Sequence, residues 1–377
     1  MDAASDAPTG PESAQIVLPC DEPGATAAFL TERLGFRVDE VVPAEDPATV
    51  VVSGHGVALR LERGAGGAPG RLRLACREPA ALAAALGAGS SRTVTAPDGT
   101  VIVLVEAEPP LVVPPARPSF SVARLSEAAW TRGRAGMRYR DLLPGRQGGR
   151  YLASWILVPE GGPVADQVHF HEIRVQVIYC VRGWVRLVYE DQGEPFTMRA
   201  GGLVLQPPRI RHRVLECSPR LEVVEVACPA EHRTRMDHAT ALPTPRVDPA
   251  RAFDGQRFVH HEAAGASWTP WRLDGWRARD LGVAAGAGGL LAAHVARLDD
   301  PARAAPWRHG GELLLDVVLA GEGVLEVEGE GAHALAAGDA VAVPPRRRAC
   351  WTRAARGLEL LEVTAPATAR APGASDA

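Results

Sequence analysis

The sequence predicts a mainly β protein: two tandem copies of an all-β unit, preceded by a smaller α+β segment of βαβββ type. Three observations carry this. From residue 119 onward, short apolar stretches alternate with turn residues, the spacing of a sandwich or barrel. Those stretches recur at a nearly constant offset, as a duplicated unit would. Before them, "AQIVLPC" reads as a strand and "PGATAAFLTERLGF" as an amphipathic helix, opened by Pro23 and closed by Gly35. A chain of 377 residues is also too long for one ordinary core.

The first segment spans residues 14–107. After the helix, "RVDEVV", "ATVVVSG" and "VALRLER" read as strands, then "RLRLAC" as a strand and "EPAALAAALGAG" as a helix. "RTVTAPDGTVIVLVE" closes it as a hairpin turned at Asp98-Gly99. The order is βαβββ followed by a shortened βαββ. On the "FLTERLGF" helix and the "APDGTVIVLVE" hairpin, the segment resembles the glyoxalase/bleomycin-resistance (vicinal oxygen chelate) class. That resemblance implies metal ligands from the first, fifth and last strands. The residues there are Gln15, Arg71 or Arg73, and Val103, so the expectation is a degenerate domain without a metal. Docking, assembly into a homodimer, or capping a barrel mouth are the roles left for it. Glu62 and Glu106 read as solvated strand ends.

Residues 108–118, "EPPLVVPPARP", form a Pro-rich linker. The duplicated unit follows. Phe120, Trp130, Arg138, Arg140, Asp141 and Leu142 correspond to Phe258, Trp268, Arg277, Arg279, Asp280 and Leu281 at an offset of 138 or 139. Gly183, Gly201 and Pro207 correspond to Gly321, Gly338 and Pro344. The predicted boundaries are 119–235 for the first barrel, 236–257 for the connection and 258–366 for the second barrel.

Composition excludes several classes. The formal net charge of −4 points to neither nucleic acid nor an anionic membrane. All 41 basic residues are Arg, a bias read as that of a GC-rich bacterial genome. Six Cys without a CxxC pair predict reduced thiols and a cytoplasmic setting. The opening residues lack the apolar core of a signal peptide, and no apolar run approaches a membrane span.

The chemistry concentrates in "QVHFHEIRVQVIYCVRGW", residues 167–184. His169 and His171, at i and i+2, share one face of a strand. Converging imidazoles in a barrel lumen bind Zn, Fe, Ni, Cu or Mn. A third ligand has to come from another strand, and "RAGGLVLQPPRIRHRVLE" offers His212.

These residues resemble the cupins, whose motifs are GX5HXHX3–4EX6G and GX5PXGX2HX3N. His169, His171 and Gly183 fall on the first, with Gln176 in its Glu place; six residues, not five, separate Gly162 from His169. Gly201, Pro207 and His212 fall on the second, with Arg209 in the Gly place and Glu216 in the Asn place. The resemblance implies a bicupin of two jelly-roll barrels, with His169, His171 and His212 as metal ligands and Gln176 as a weak fourth. Carried to the second copy, the ligand positions become Trp307, His309, Leu314 and Ala349, a set that predicts a metal-free barrel. His260 and His261 read as surface or linker residues, and His294, aligned with Trp155, as a lining residue.

A neutral Gln176 leaves a divalent site at +2, which favours anionic chelating ligands: enolates, catecholates, β-diketones or phenolates. Gln is no general base, so Glu172, beside His171, is the candidate for a proton-accepting role, although strand parity turns it outward. Ile178 and Cys180, on the face of Gln176, predict an apolar lumen suited to an aromatic or aliphatic substrate. The expected cofactor is one divalent metal per chain, iron first, with nickel, zinc, copper and manganese behind it. The expected function is a non-haem dioxygenase resembling the cupin dioxygenases, acting on a small-molecule substrate. The alternatives are a redox-neutral cyclase or isomerase resembling the cupin polyketide cyclases and a small-molecule binding protein without turnover.

Overall fold

The computed structural model describes residues 13–133, 136–300 and 305–367. The chain is mainly β and divides into one compact unit ending at Pro110 and a second beginning at Leu111.

The first unit has the element order read from the sequence. Strand Ile16–Pro19 leads into helix Pro23–Leu34 and strands Arg37–Val42, Thr49–Gly54 and Val57–Glu62. The first of these strands pairs in parallel with the last. Strand Arg71–Cys76, helix Pro79–Ala85 and strands Thr93–Thr95 and Val101–Glu106 repeat the scheme, again with the first strand parallel to the last. Both helices begin at a Pro, whose fixed φ suits the first turn and whose missing N–H costs nothing there. The longer helix stops at Gly35, whose left-handed backbone lets its N–H return to the Leu30 carbonyl. Its buried positions, Pro23, Thr26, Ala27, Leu30 and Leu34, follow the helical period and cover a core shared by both sheets. Glu62 and Glu106 pair with Arg60 and Arg92.

The second unit holds the two barrels. In the first, one sheet orders strands 259–261, 203–206, 175–182, 221–228, 152–158, 138–141 and 131–132. Its other sheet orders strands 196–199, 184–189, 212–217, 169–172 and 233–236. The second barrel has a matching seven-stranded sheet and, among the described residues, a smaller second sheet of three strands.

The sheets do not respect the boundaries of the repeat. Strand Ser121–Ala123, which opens the first copy, pairs with Ala340–Ala342 of the second barrel. Strand Val259–His261, which opens the second copy, pairs with Leu203–Leu205 of the first. Each copy thus closes an edge of the other, which removes two open strand edges. This exchange corrects the reading of His260 and His261 as surface or linker residues. Both are half-buried on the exchanged strand, and burial pushes the pKa of each imidazole down.

Two arginines mirror the exchange. Arg140 donates to the Gly338 carbonyl, and Arg279, its counterpart in the repeat, donates to the Gly201 carbonyl. Each guanidinium also lies over tryptophan, Arg140 over Trp155 and Arg279 over Trp268. The paired Asp141 and Asp280 cap equivalent turns, accepting from the Leu143 and Gly282 N–H groups.

Central strands are buried on both faces, so they read as near-continuous apolar runs. In Val175–Arg182, the Val175, Val177 and Tyr179 side chains join a core between the barrels, with Leu315, Val317 and Val363 from the other barrel. The alternate residues, Gln176, Ile178 and Cys180, face the first lumen.

Candidate metal centre

Strand His169–Glu172 places both histidines inward by simple alternation, while Phe170 turns out under the Arg211 guanidinium. His169 lies directly opposite His212 across the antiparallel pair of strands. The three imidazoles therefore meet from two adjacent strands, with ring centroids 4.3 Å (169 to 212), 5.2 Å (171 to 212) and 5.3 Å (169 to 171) apart. One ring nitrogen from each lies within 4.8 Å of the other two, and among the described residues this is the one such group of His, Cys, Asp or Glu.

The far side of each ring is held. His169 Nδ1 lies 2.7 Å from the Gln167 carbonyl and His212 Nδ1 3.1 Å from the Ile210 carbonyl. A carbonyl only accepts, so Nδ1 carries the proton in both and Nε2 the lone pair. His171 Nδ1 lies 2.9 Å from the Thr234 hydroxyl. Metal-ligating histidines are characteristically held this way by outer partners. Nitrogens about 2.1 Å from one ion lie about 3–3.4 Å apart, so modest closure of the triad fits a divalent metal. Three imidazoles are a donor set for Zn, Fe, Ni, Cu or Mn.

The triad opens on a cavity of about 340 Å³. Its walls are mostly apolar, including Met137, Ile156, Ile178, Leu187, Met198 and Val223. Among the described residues no Arg lines it, in a chain whose basic residues are all Arg. Among the described residues, the polar groups besides the triad are Gln176, Gln206, Glu225, Tyr189, Tyr139, His232 and Thr234.

Gln176 is buried in this cavity, directly across from Gln206 on the neighbouring strand. Its Nε2 donates to Glu225 Oε1, and its Oε1 accepts from Gln206 Nε2 at 3.3 Å. Gln206 Nε2 also lies 3.2 Å from His212 Nε2, and the Tyr189 hydroxyl donates to Gln206 Oε1 at 2.9 Å. The Gln206 amide thus contacts both Gln176, expected as a weak fourth ligand, and His212 of the triad. Burial pushes the Tyr189 pKa far up, so the phenol stays neutral and keeps the proton it donates.

Glu172 does not take the role expected of it. Its carboxylate meets Arg235 Nε at 2.6 Å, with Arg209 and Arg233 guanidinium nitrogens at 3.8 and 3.9 Å, and it is absent from the cavity wall. Parity is the cause: it follows His171 by one residue on the same strand, so it leaves from the other face.

The carboxylate that does line the cavity is Glu225, which the sequence reading missed along with Gln206, Tyr189 and His232. Their signal was parity. In "LEVVEVAC", Leu221, Val223 and Glu225 share the lumen face, and in "LVLQ", Val204 and Gln206 do. His232 stands near the triad, its ring centroid 5.4 Å from that of His171.

In the second barrel, Trp307, Leu314 and Ala349 join an apolar cluster with Trp276 and Trp351. His309 Nε2 lies 2.7 Å from the Val343 carbonyl, and burial pushes its pKa down. His294 is a little-exposed ring 3.9 Å from Asp280.

No family model and no curated protein matches the chain. Solved structures similar to it include protein Ylba from E. coli, at 12% identity and a TM-score of 0.46, covering 67% of this chain and 93% of that one. A variant of Bacillus subtilis oxalate decarboxylase aligns at 12% identity and 0.49, covering 68% and 80%. A variant of salicylate 1,2-dioxygenase from Pseudoaminobacter salicylatoxidans aligns at 14% identity and 0.47, covering 68% and 86%. The two-barrel architecture of this chain rests on its own strand order.

Proposed function

We propose that the first barrel binds one divalent metal ion through His169, His171 and His212, and that the protein is a metal-dependent enzyme of cupin type. Its substrate is a small molecule with an apolar body and a chelating oxygen head, and its reaction is that of a non-haem dioxygenase. The supporting observation is the convergence of three oriented imidazoles at the polar end of an otherwise apolar cavity.

An ion held there supplies a Lewis acid for a chelating oxygen and, if it is iron, a redox partner for dioxygen. The chain's own residues supply the rest. Gln167, Ile210 and Thr234 hold the three rings in place. Apolar walls exclude water and take up the substrate body. Among the described residues no Arg lines the cavity to pair with a second carboxylate, which favours a substrate with a single anionic head over a small dianion.

A redox-neutral reading, cyclase or isomerase, is favoured by Glu225, a carboxylate in the same cavity able to accept a substrate proton. An oxygen electrode separates the two. With metal-loaded protein and candidate β-diketones or phenols, the dioxygenase reading predicts uptake of O2 in step with substrate loss. Conversion without uptake selects the redox-neutral enzyme. Tight binding without product contradicts both and leaves a binding protein.

A further inference from the structure

We propose that Gln206 donates a hydrogen bond to an oxygen of the molecule bound beside the triad, with Tyr189 as the positioning residue that holds it; this rests on the metal reading above. The orientation of the amide follows from its neighbours. A carboxylate accepts, so Gln176 turns its NH2 group to Glu225 and its oxygen to Gln206. Gln206 must then present its NH2 group to that oxygen, which leaves its own oxygen for the Tyr189 hydroxyl. Both amides are thereby fixed from one end, without the usual ambiguity of flipped side chains.

The Gln206 NH2 group has two N–H bonds and two acceptors, Gln176 Oε1 at 3.3 Å and His212 Nε2 at 3.2 Å. An ion on His212 takes the second acceptor away. Gln206 is 1% exposed, and a buried donor left without an acceptor is costly. A ligand that brings an anionic or carbonyl oxygen next to the ion restores the bond, and a charge-assisted bond is the stronger kind. A ligand without oxygen does not restore it. The site thereby selects oxygen chelators, such as enolates and catecholates, over nitrogen or sulfur ligands of similar size.

The test uses the full chain in three steps. Calorimetric titration with zinc alone comes first: the expected result is one equivalent, with affinity in Gln206→Met and Tyr189→Phe equal to or a few-fold tighter than in the unaltered protein. The zinc-loaded proteins are then titrated with 4-nitrocatechol, followed by its visible absorbance, and with imidazole as a ligand lacking oxygen. Gln206→Met is expected to weaken 4-nitrocatechol about ten- to a hundredfold. Tyr189→Phe, which removes the bond that steadies the amide oxygen, is expected to weaken it about three- to tenfold. Imidazole affinity should not change in either. Gln206→Glu, of the same shape but unable to donate when ionised, should repeat the loss. Unchanged 4-nitrocatechol binding overturns the inference and leaves the metal reading standing. Equal weakening of both ligands shows a merely structural role and also overturns it. Failure of the unaltered protein to take up zinc overturns the metal reading and this inference with it.

Discussion

In the first barrel, positions 169, 171, 176 and 212 hold His, His, Gln and His; in the second, positions 307, 309, 314 and 349 hold Trp, His, Leu and Ala. Around these positions the seven-stranded sheets, the turns and the exchanged edges correspond, whereas strand 169–172 is matched, among the described residues, only by an isolated bridge between Trp307 and Ala349. The difference lies in what fills the lumen. Trp307 and Trp351 occupy the second barrel with apolar bulk, whereas the first keeps an open cavity. One acidic position persists in both: Glu225 faces Gln176, and Glu362, at the same register of the repeat, meets Arg272. In the second barrel that side chain meets a guanidinium, and in the first an amide. A duplicated fold can thus keep one lumen open while the other becomes core.

The largest expected break in this comparison is at the triad. Alanine at His169, His171 or His212 should weaken metal binding more than about a hundredfold, since losing an outer partner alone costs 10–100-fold. Calorimetry with zinc checks this, and Gln176→Ala should weaken it far less. Next comes packing. Trp351→Ala should cost about 3–5 kcal/mol in denaturant unfolding, as a large side chain removed from a filled core. His169→Leu in metal-free protein should cost much less, because the ring borders a cavity. Third are the mirrored arginines. Arg140→Leu should destabilise by about 1–3 kcal/mol by leaving the buried Gly338 carbonyl unpaired, and Arg279→Leu by somewhat less, its partner Gly201 being only half-buried. A larger loss at Arg279 than at Arg140 would show that the joint is not governed by these two carbonyls.

The smallest effect is in pH. Burial lowers the pKa of His309 in the folded state, so the unfolded chain, near 6.5, binds the proton first. Stability should fall as pH drops through about 6.5, by at most about 1.4 kcal/mol per pH unit from this group. His309→Gln should flatten that slope, measured by urea unfolding between pH 7 and 5.

The element order of the first unit, the duplication and the triad were legible because each leaves a local mark: helix caps, a constant offset, and His at strand spacing. The strand exchange was not, because nothing in "FVHH" says which sheet its edge will meet. Glu225 and Gln206 were missed for the same reason. Their meaning depends on register with strands far away in sequence, although parity with Val223 and Val204 put them on the lumen face. Glu172 was misjudged where nearness in sequence was allowed to outweigh that same parity.

Elemental analysis of the purified protein, beside a variant with His169, His171 and His212 all changed to alanine, is the most direct test of a single metal site in the first barrel. The account predicts one divalent metal per chain in the unaltered protein and none in the variant. Two equivalents per chain, or metal retained by the variant, would contradict it.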